Sequence, residues 1–155
     1  MRGFTLVEMM VVVGIVAILA LMMVPAYVDR LVLNQIGEAL PLADIAKRPI
    51  AASWALAHKL PADNASIGLP VPEKVVSNYV SALSVEGGAI HMTFGNRARV
   101  QIRGRVLSLR PATVPDAPVV PIAWVCGYAA VPGNMTAQGE NRTNVPAGYL
   151  PAQCR

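Results

Sequence analysis

The fold is decided at the N-terminus, where residues 3–30 read GFTLVEMMVVVGIVAILALMMVPAYVDR. From Met9 to Val28 this stretch contains no charged residue. A helix needs about 20 apolar residues to cross a bilayer, so the segment is long enough to span one. It is longer than the apolar run of a secretory signal, and the sequence after it is a poor cleavage site for such a signal. The stretch therefore predicts a membrane anchor rather than a buried core helix.

The remainder of the chain has the composition of an ordinary polar-coated domain. Of the 155 residues, 54% are hydrophobic and 14% are charged, and the mean hydropathy is +0.47. A chain of this length has room for one globular domain. The net charge of +4 and the pI near 9.4 permit attraction to nucleic acid or to anionic surfaces without requiring it.

A short basic leader precedes the apolar stretch. It ends in Gly3, Phe4 follows, and the carboxylate of Glu8 stands four residues after Phe4. An ionisable group inside a membrane segment costs about 2.5–3.5 kcal/mol on insertion scales, so it usually marks a functional position. Glu8 is therefore a candidate functional residue; the alternative is a carboxylate solvated at the headgroup boundary.

This N-terminus resembles the class III leader of type IV prepilins. In that family a glycine is followed by Phe-Thr-Leu-x-Glu and by a membrane-spanning helix with a proline near its end. Gly3, Phe4, Glu8 and Pro25 stand at those offsets here. The resemblance implies cleavage between Gly3 and Phe4 by a prepilin peptidase on the cytoplasmic side, followed by N-methylation of the new Phe4 amine. The three-residue leader is shorter than the family usually shows.

The resemblance also implies a role for Glu8 and Pro25 in assembly. Cleavage creates a cationic amine at Phe4, and a neighbouring subunit can present its own amine to Glu8. Such a pair would neutralise the carboxylate and set the axial register between subunits. Pro25 removes a helix hydrogen bond, and in the family this region is where the helix bends and partly unwinds in the fibre.

The helical pattern continues beyond Asp29 to residue 60. Its apolar stripe comprises Ile36, Leu40, Ala43, Ile50, Trp54 and Ala57, with Lys47 interrupting. A stripe at steps of four and three predicts a helix packed on a sheet. Pro41 and Pro49 each cost about 3 kcal/mol inside a helix, so a bend or an interruption is expected there.

Strand signals follow the loop at residues 61–70. The predicted strands cover residues 79–85, 89–94, 105–110 and 121–128. Pro111 is expected to end the third of them. The predicted fold class is α+β, with a long N-terminal helix packed on a four-stranded antiparallel sheet, which is also the pilin fold that the resemblance implies. The chain would then divide into a leader (1–3), a transmembrane and fibre-core half of the helix (4–28), an amphipathic half (29–60) and a β-sheet head (61–155).

The two cysteines, Cys126 and Cys154, lie in polar sequence near the C-terminus. They lack CxxC spacing and histidine is scarce, so neither a metal site nor a cofactor is expected. In an exported domain a disulfide is the natural interpretation, and two free thiols are the alternative. The segments around both cysteines resemble the disulfide-bounded C-terminal loop of pilins. His91, isolated on a predicted strand, is expected at the surface.

Four arginines are grouped in the middle of the predicted head: Arg97, Arg99, Arg103 and Arg105. In an extended strand they would share one face, with Ala98, Val100 and Ile102 facing inward. Such a stripe could bind DNA phosphates. However, the stretch lacks aromatic residues for stacking on bases, and Gly104 is expected to break its register. A solvated face is the other interpretation.

The sequence shows no nucleophile–base pair, phosphate loop or carboxylate pair, so no enzymatic activity is predicted. The favoured function is that of a structural subunit of a type IV pilus. It would be inserted in the inner membrane with its head in the periplasm and then polymerised into an extracellular fibre for adhesion, twitching motility or DNA uptake. The implied partners are other copies of the chain, the prepilin peptidase, the inner-membrane assembly platform and minor pilins, with DNA or a host surface as further candidates. The alternatives are a DNA-binding competence pilin and a type II secretion pseudopilin.

Overall fold

The first helix begins just inside the N-terminus. The computed structural model describes residues 3–155, apart from the side chains of residues 24–26. Helix α1 covers Leu6–Ala39 and is capped by Thr5, whose hydroxyl accepts a hydrogen bond from the Glu8 N–H at 3.3 Å. An N-cap threonine satisfies one of the free N–H groups of the first turn. Because the helix starts after this cap, Phe4 lies outside it.

The helix is interrupted at Pro41, the first of the two prolines at which a bend or an interruption was expected. Residues Leu40–Ala43 form one 3-10 turn, and α2 then covers Asp44–Ala57. Pro41 lies in the first two positions of the turn, where a missing N–H has little cost. Pro49 stands inside α2, which continues past it. The expected interruption is therefore confined to Pro41.

The buried face of the two helices differs in register from the predicted stripe. The fully buried positions are Val32, Ile36, Ala39, Ala43, Ala46 and Ile50. These follow one another at alternating steps of four and three, and Ala46 occupies the core position that Lys47 was expected to interrupt. Leu40 and Trp54 are only half-buried, and Ala57 is exposed. The prediction was wrong for Ala57 because α2 ends there and the chain turns away at His58, which adopts a left-handed conformation.

The helices pack on one antiparallel sheet. Its strands are β1 (Val80–Glu86), β2 (Ala89–Phe94), β3 (Val106–Thr113), β4 (Ala123–Cys126) and β5 (Thr136–Ala137). They are ordered β1-β2-β3-β4, and β5 pairs with the end of β3. The core between sheet and helix includes Leu83, Met92, Phe94 and Leu107. The α+β architecture and its four main strands are thus confirmed, and the two-residue β5 is an addition to them.

Strand β3 continues through Pro111, where the sequence predicted its end. The Pro111 carbonyl accepts a hydrogen bond from the Gln138 N–H at 2.8 Å, on the side of β5. Because the N and C=O of one strand residue point to the same edge, the missing N–H also points to that side. Opposite Pro111 on β4 stands Trp124, and no ladder hydrogen bond to β4 is lost. A proline is tolerated in a strand under this condition.

The head has two distinct ends because β1 runs alongside the helix in the same direction. At one end the Asn78 side-chain amide donates to the Glu38 carboxylate at 3.1 Å. At the other end the Gly88 N–H donates to the Pro61 carbonyl at 2.8 Å. Glu38 is close in sequence to the apolar segment and Pro61 is far from it. The β2–β3 connection, residues 95–105, therefore lies at the end of the head nearest the apolar segment, called here the proximal end.

One buried side chain, that of Asn64, ties the loop after α2 to the open edge of β1. Its amide nitrogen donates to the carbonyls of Leu83 at 3.0 Å and Pro70 at 2.9 Å. Its amide oxygen accepts from the Val85 N–H at 2.6 Å. Asn64 is only 6% exposed. It therefore takes the place of a strand partner for edge groups that would otherwise be unpaired.

Replacing this side chain is expected to destabilise the head. Asn64→Ala would leave the Leu83 carbonyl and the Val85 N–H without partners, which should lower the free energy of unfolding by about 2–4 kcal/mol. Asn134→Ala, in an exposed turn, is the matched control and should change it by less than about 0.5 kcal/mol. Denaturant unfolding of the detergent-solubilised chain measures both. Equal losses in the two variants would contradict this role of Asn64.

Candidate functional site: the N-terminal helix and the C-terminal loop

The first half of α1 presents an apolar surface on all sides. Every residue from Leu6 to Met23 is exposed. The most apolar 18-residue window of this helix has a mean hydropathy of 2.7, and none of it is buried. Exposed apolar areas of this extent mark interaction with a membrane or with another protein. Within residues 3–155 this is the one helix that is long and apolar enough to cross a membrane.

The predicted processing site lies in non-helical chain immediately before the helix. Gly3 and Phe4 precede the Thr5 cap, and both are exposed, Phe4 at 76%. Cleavage between them would place a new amine two residues before the first helical residue, Leu6. A protease needs its substrate backbone in an accessible, non-helical conformation, and this segment has one.

Glu8 lies in the first turn of α1 and is exposed. Its backbone N–H bonds to Thr5, but its carboxylate has no hydrogen-bond or ion-pair partner within residues 3–155. The helix N-terminus favours a negative charge at this position through its dipole. The carboxylate is thus available to a cation from outside the subunit.

Two residues in the exposed half of α1, Pro25 and Gly14, lack a group that other helical residues have: Pro25 lacks the N–H and Gly14 lacks the Cβ atom. Pro25 has no N–H, so the Leu21 carbonyl loses its ladder partner, although the helix continues past both residues. At Gly14 a Cβ atom would meet no other atom within 4 Å. Small residues let neighbouring helices approach closely in apolar surroundings. Unwinding around Pro25 in the fibre stays a prediction.

The two cysteines form a disulfide, as expected. Cys126, at the end of β4, is bonded to Cys154 with a Cα–Cα distance of 4.5 Å and a sequence separation of 28 residues. Closing a loop of this length stabilises the folded chain by about 3–4 kcal/mol on the loop-entropy estimate. Gly127 adopts φ +57°, and a Cβ atom there would lie 2.5 Å from the Cys154 carbonyl oxygen. Residue 127, next to the disulfide, therefore has to be glycine so that the Cys154 carbonyl can approach its backbone.

The segment enclosed by the disulfide covers the open edge of β3. Asn144 acts as a strand partner of Val106: its N–H donates to the Val106 carbonyl at 3.0 Å, and its side-chain oxygen accepts from the Val106 N–H at 2.7 Å. The Ser108 N–H donates to the Thr143 hydroxyl at 3.0 Å. The Tyr128 hydroxyl donates to the Thr143 carbonyl at 2.9 Å. The C-terminal loop is thus part of the head rather than a free appendage.

Arg142 joins this loop to the β1–β2 turn. Its two terminal nitrogens each contact one carboxylate oxygen of Glu86 at 2.6 Å. Its Nε donates to Glu140 at 2.9 Å. The hydrogen bonds that Arg142 donates to Glu86, and then to Glu140, raise the pKa of Arg142. The bidentate geometry gives the pair a defined orientation.

His91 lies buried beneath this ion pair, so the expectation of a surface histidine was wrong. It is 3% exposed, and its Nδ1 lies 2.8 Å from the Ser108 hydroxyl. That hydroxyl also accepts from the Arg142 N–H at 2.9 Å. Burial, and then the charge of Arg142, lower the pKa of His91 below its usual value of 6.5. The sequence did not reveal this because the cover comes from a segment about 50 residues further along the chain.

The lowered pKa of His91 predicts a pH dependence of stability. As the pH falls below about 6.5, the unfolded chain binds a proton at this histidine before the folded chain does. The free energy of unfolding should therefore decrease from pH 7 towards pH 5, and His91→Gln should reduce that slope. Unfolding in denaturant at a series of pH values measures it.

The matched control for this experiment is His58→Asn. It removes the other histidine, which is exposed and left-handed at the end of α2, and asparagine tolerates that conformation. The control should keep the slope of the unmodified chain. A slope that persists in His91→Gln and disappears in His58→Asn would contradict the assignment.

The four arginines do not lie on an extended strand, and the prediction of a shared face was wrong. Residues 96–104 form a series of turns, with Gly104 at φ +74°. Arg103 donates from Nε and Nη2 to the Ala98 carbonyl at 3.2 and 3.1 Å, which closes the loop on itself. Ala98 and Ile102 are buried as expected, but Val100 is 79% exposed.

Two family profiles match most of the sequence. Residues 1–24 match the prokaryotic N-terminal methylation motif, and residues 34–155 match the family described as pilin, a bacterial filament protein. The first match covers the leader, Phe4 and Glu8, and the second covers the head with its disulfide.

Curated relatives match over almost the whole chain. The type IV major pilin protein PilE1 of Neisseria gonorrhoeae is 32% identical over 160 residues, covering 99% of this chain and 87% of the relative. A fimbrial protein of Neisseria meningitidis serogroup A is 31% identical over 164 residues, covering 99% and 94%. The fimbrial protein EcpC of Eikenella corrodens is 31% identical over 157 residues, covering 99% and 90%.

Proposed function

The chain belongs to the pilin family and is a structural subunit of a type IV pilus, and from this premise we propose that Glu8 and the processed Phe4 amine set the register of subunits in the fibre. Before assembly the subunit is anchored in the inner membrane by α1, and after assembly it is part of an extracellular pilus. The fibre is a polymer of copies of the chain. Which groups align those copies is the question that the proposal answers.

Processing is the first step. A prepilin peptidase removes Met1–Gly3 and methylates the amine of Phe4. The exposed, non-helical chain before Thr5 supports this proposal, as does the match of residues 1–24 to the methylation motif. The product has a cationic amine in the first residues of an otherwise apolar segment. In the assembled fibre that amine would have to leave water.

The unpartnered carboxylate of Glu8 is the observation that carries the proposal. From Met9 to Val28 the segment contains no charge, and Glu8 has no partner within residues 3–155. The Phe4 amine is the cation at matching depth. Pairing within one subunit would leave neighbouring subunits free to slide, whereas pairing between subunits fixes one axial stagger. The same pair removes the unfavourable desolvation of both groups.

The names of the relatives suggest which kind of pilin subunit this chain is. We propose that the chain is a main-fibre subunit, because several of its relatives are named as major pilins. The assembly platform of the inner membrane and minor pilins are its proposed partners, and adhesion, twitching motility or DNA uptake are the proposed uses of the fibre. Of the alternative functions, a DNA-binding competence pilin is less favoured, because the four arginines do not form the shared face on which that hypothesis rested. The paired cysteines give no support to a secretion pseudopilin.

Processing can be tested directly by mass spectrometry. The chain isolated from a host with an active prepilin peptidase should lack Met1–Gly3 and should carry one methyl group on the amine of Phe4. A peptidase-deficient host is the control, and it should yield the full-length chain. A full-length, unmethylated chain in both hosts would rule out this processing.

Replacement of Glu8 should block assembly and leave insertion intact. Glu8→Val removes the partner of the Phe4 amine and leaves that amine unpaired in an apolar environment. The sheared pilus fraction should fall by at least roughly tenfold, since about 1.4 kcal/mol suffices for each factor of ten. Glu8→Asp, with its shorter reach, should give an intermediate amount. The measurement compares processed subunit in the membrane with pilin sheared from the cell surface.

The matched control for Glu8→Val is Glu73→Val. It makes the same change at an exposed position of the head and should leave the sheared fraction unchanged. If Glu8→Val filled the sheared fraction as the unmodified chain does, the carboxylate would not set the register. Packing of residues 9–24 would then have to do so alone.

A further inference from the structure

Positive charge is concentrated in one part of the head. Residues 87–115 contain five arginines and no acidic residue. Four of the five lie in or at the end of the β2–β3 connection, residues 95–105, called here the arginine loop. The function proposed above does not use them.

The arginine loop lies at the proximal end of the head, beside the helix that leaves the membrane. The Arg99 N–H donates to the side-chain oxygen of Gln35 on α1 at 3.0 Å. The Arg97 N–H donates to the Asn78 carbonyl at 3.0 Å, and the Asn78 side chain bonds to Glu38. One direct contact, and one indirect contact through Asn78, thus hold the loop against the first ten residues of α1 beyond Val28.

This position brings the loop close to the membrane surface. Gln35 stands seven residues after Val28, which is about 10 Å along a helix. The headgroup region extends roughly 5–8 Å beyond the hydrocarbon core on each side. With Val28 at the edge of the hydrocarbon core and the helix along the membrane normal, the loop backbone would lie a few ångströms above the headgroups, within the length of an arginine side chain. The charges also lie within a Debye length of that surface, about 8–10 Å at physiological salt.

The side chains that could make the contact are accessible. Arg97 is exposed and Arg99 half-buried, and neither side chain has a hydrogen-bond or ion-pair partner in the described chain, residues 3–155. Arg103 and Arg105 bond to backbone carbonyls, which leaves their charges uncompensated. Between them Val100 is 79% exposed, an apolar tip on a cationic loop.

We propose that the arginine loop binds the anionic phospholipid headgroups of the membrane in which the subunit is anchored. The charges are complementary, since each basic residue near an anionic leaflet favours contact by roughly fivefold. The two acidic groups on the neighbouring helix, Asp29 and Glu38, are too few to cancel this charge, since the loop carries four arginines and Arg30 follows Asp29. The contact would hold the head in one orientation on the membrane until the subunit is drawn into the fibre.

A membrane surface suits this loop better than a nucleic acid does. Before assembly the anchor keeps the loop at the headgroups, so even weak contacts are populated, whereas DNA would have to reach the side of the head that faces the membrane. The turns at residues 96–104 do not form an extended basic stripe, and the loop lacks aromatic residues on which bases could stack.

The test uses the full processed chain as a monomer in lipid nanodiscs. One set contains phosphatidylcholine alone, and the other contains phosphatidylethanolamine with phosphatidylglycerol; both carry a trace of lipid with a nitroxide on its headgroup. Broadening of the Val100 methyl signals in the NMR spectrum reports contact. We expect strong broadening in the anionic discs, weak broadening in phosphatidylcholine, and loss of the difference at high salt.

Two variants with the same change in net charge separate the loop from general attraction. Arg97→Gln combined with Arg99→Gln should lower the docking equilibrium roughly 25-fold, at about fivefold for each arginine. Arg48→Gln combined with Lys59→Gln removes two exposed cations farther along the helical segment and should leave the broadening unchanged. Broadening that is equal in the two lipids, or that survives loss of Arg97 and Arg99, would overturn the proposal.

Duplex DNA added to the phosphatidylcholine discs supplies a third arm. Shifts of the arginine-loop signals with DNA, without broadening in the anionic discs, would assign the loop to nucleic acid and overturn the lipid proposal. Because the nanodisc holds a single subunit, the result does not depend on pairing between Glu8 and Phe4. A failure here would leave the proposed register intact, and a failure of the Glu8 experiment would leave the lipid contact intact.

Discussion

The exposed apolar surface of α1 is the constraint on which the rest of this protein depends. Residues Leu6–Met23 are exposed on every side, and no described part of the chain covers them. Lipid covers them before assembly, and neighbouring helices cover them in the fibre. Both environments are apolar, so moving the helix from one to the other changes its hydrophobic free energy little. Hydrophobicity therefore keeps the helix out of water but gives it neither a direction nor a register.

Polar groups have to supply what the apolar surface cannot. Glu8 is the charged residue closest to the uncharged stretch on its N-terminal side, and the Phe4 amine exists only after processing. Under the proposed pairing, the subunit before cleavage would lack the cation that its neighbours need, which would couple polymerisation to the peptidase. A register set at Glu8 would reach the head through α1, since the same helix supplies the core residues Val32 and Ile36. Pro25 lies between the two, and the unwinding predicted there would relax that coupling.

Features that depend on local patterns could be predicted from the sequence. The β2 strand was placed at residues 89–94, as found, because a Gly-Gly turn precedes it and a Gly-Asn turn follows it. The motif around Gly3, Phe4 and Glu8 is identified by its resemblance to the leader of type IV prepilins, and residues 1–24 match the N-terminal methylation motif. Ile36 and Ala43 were placed correctly in the core because their spacing is helical, whereas Ala57 has the same spacing but lies where the helix ends.

Features created by a distant segment could not be predicted in this way. His91 is buried by a loop around Arg142, and Pro111 is tolerated because its partner on one side is Gln138. The arginine loop packs on α1 through a bond from the Arg99 N–H to the Gln35 side chain, 64 residues earlier in the chain, where the alternating arginines suggested an extended stretch. In each case the structure depends on a contact with a residue far away in the sequence, which a local pattern does not reveal.

The two faces of the sheet are held by different kinds of interaction, and this division suits a fibre subunit. The inner face packs on the helix through a continuous apolar core, in which any change of volume is costly. The outer face is covered by the C-terminal loop, held by one bidentate ion pair and side-chain bonds such as those of Asn144, while the disulfide that closes the loop lies in the apolar core. Between these fixed points the loop is exposed at many positions, where substitutions usually change stability little. The surface of the head can therefore vary in sequence while the helix, the sheet and the register of the fibre stay the same.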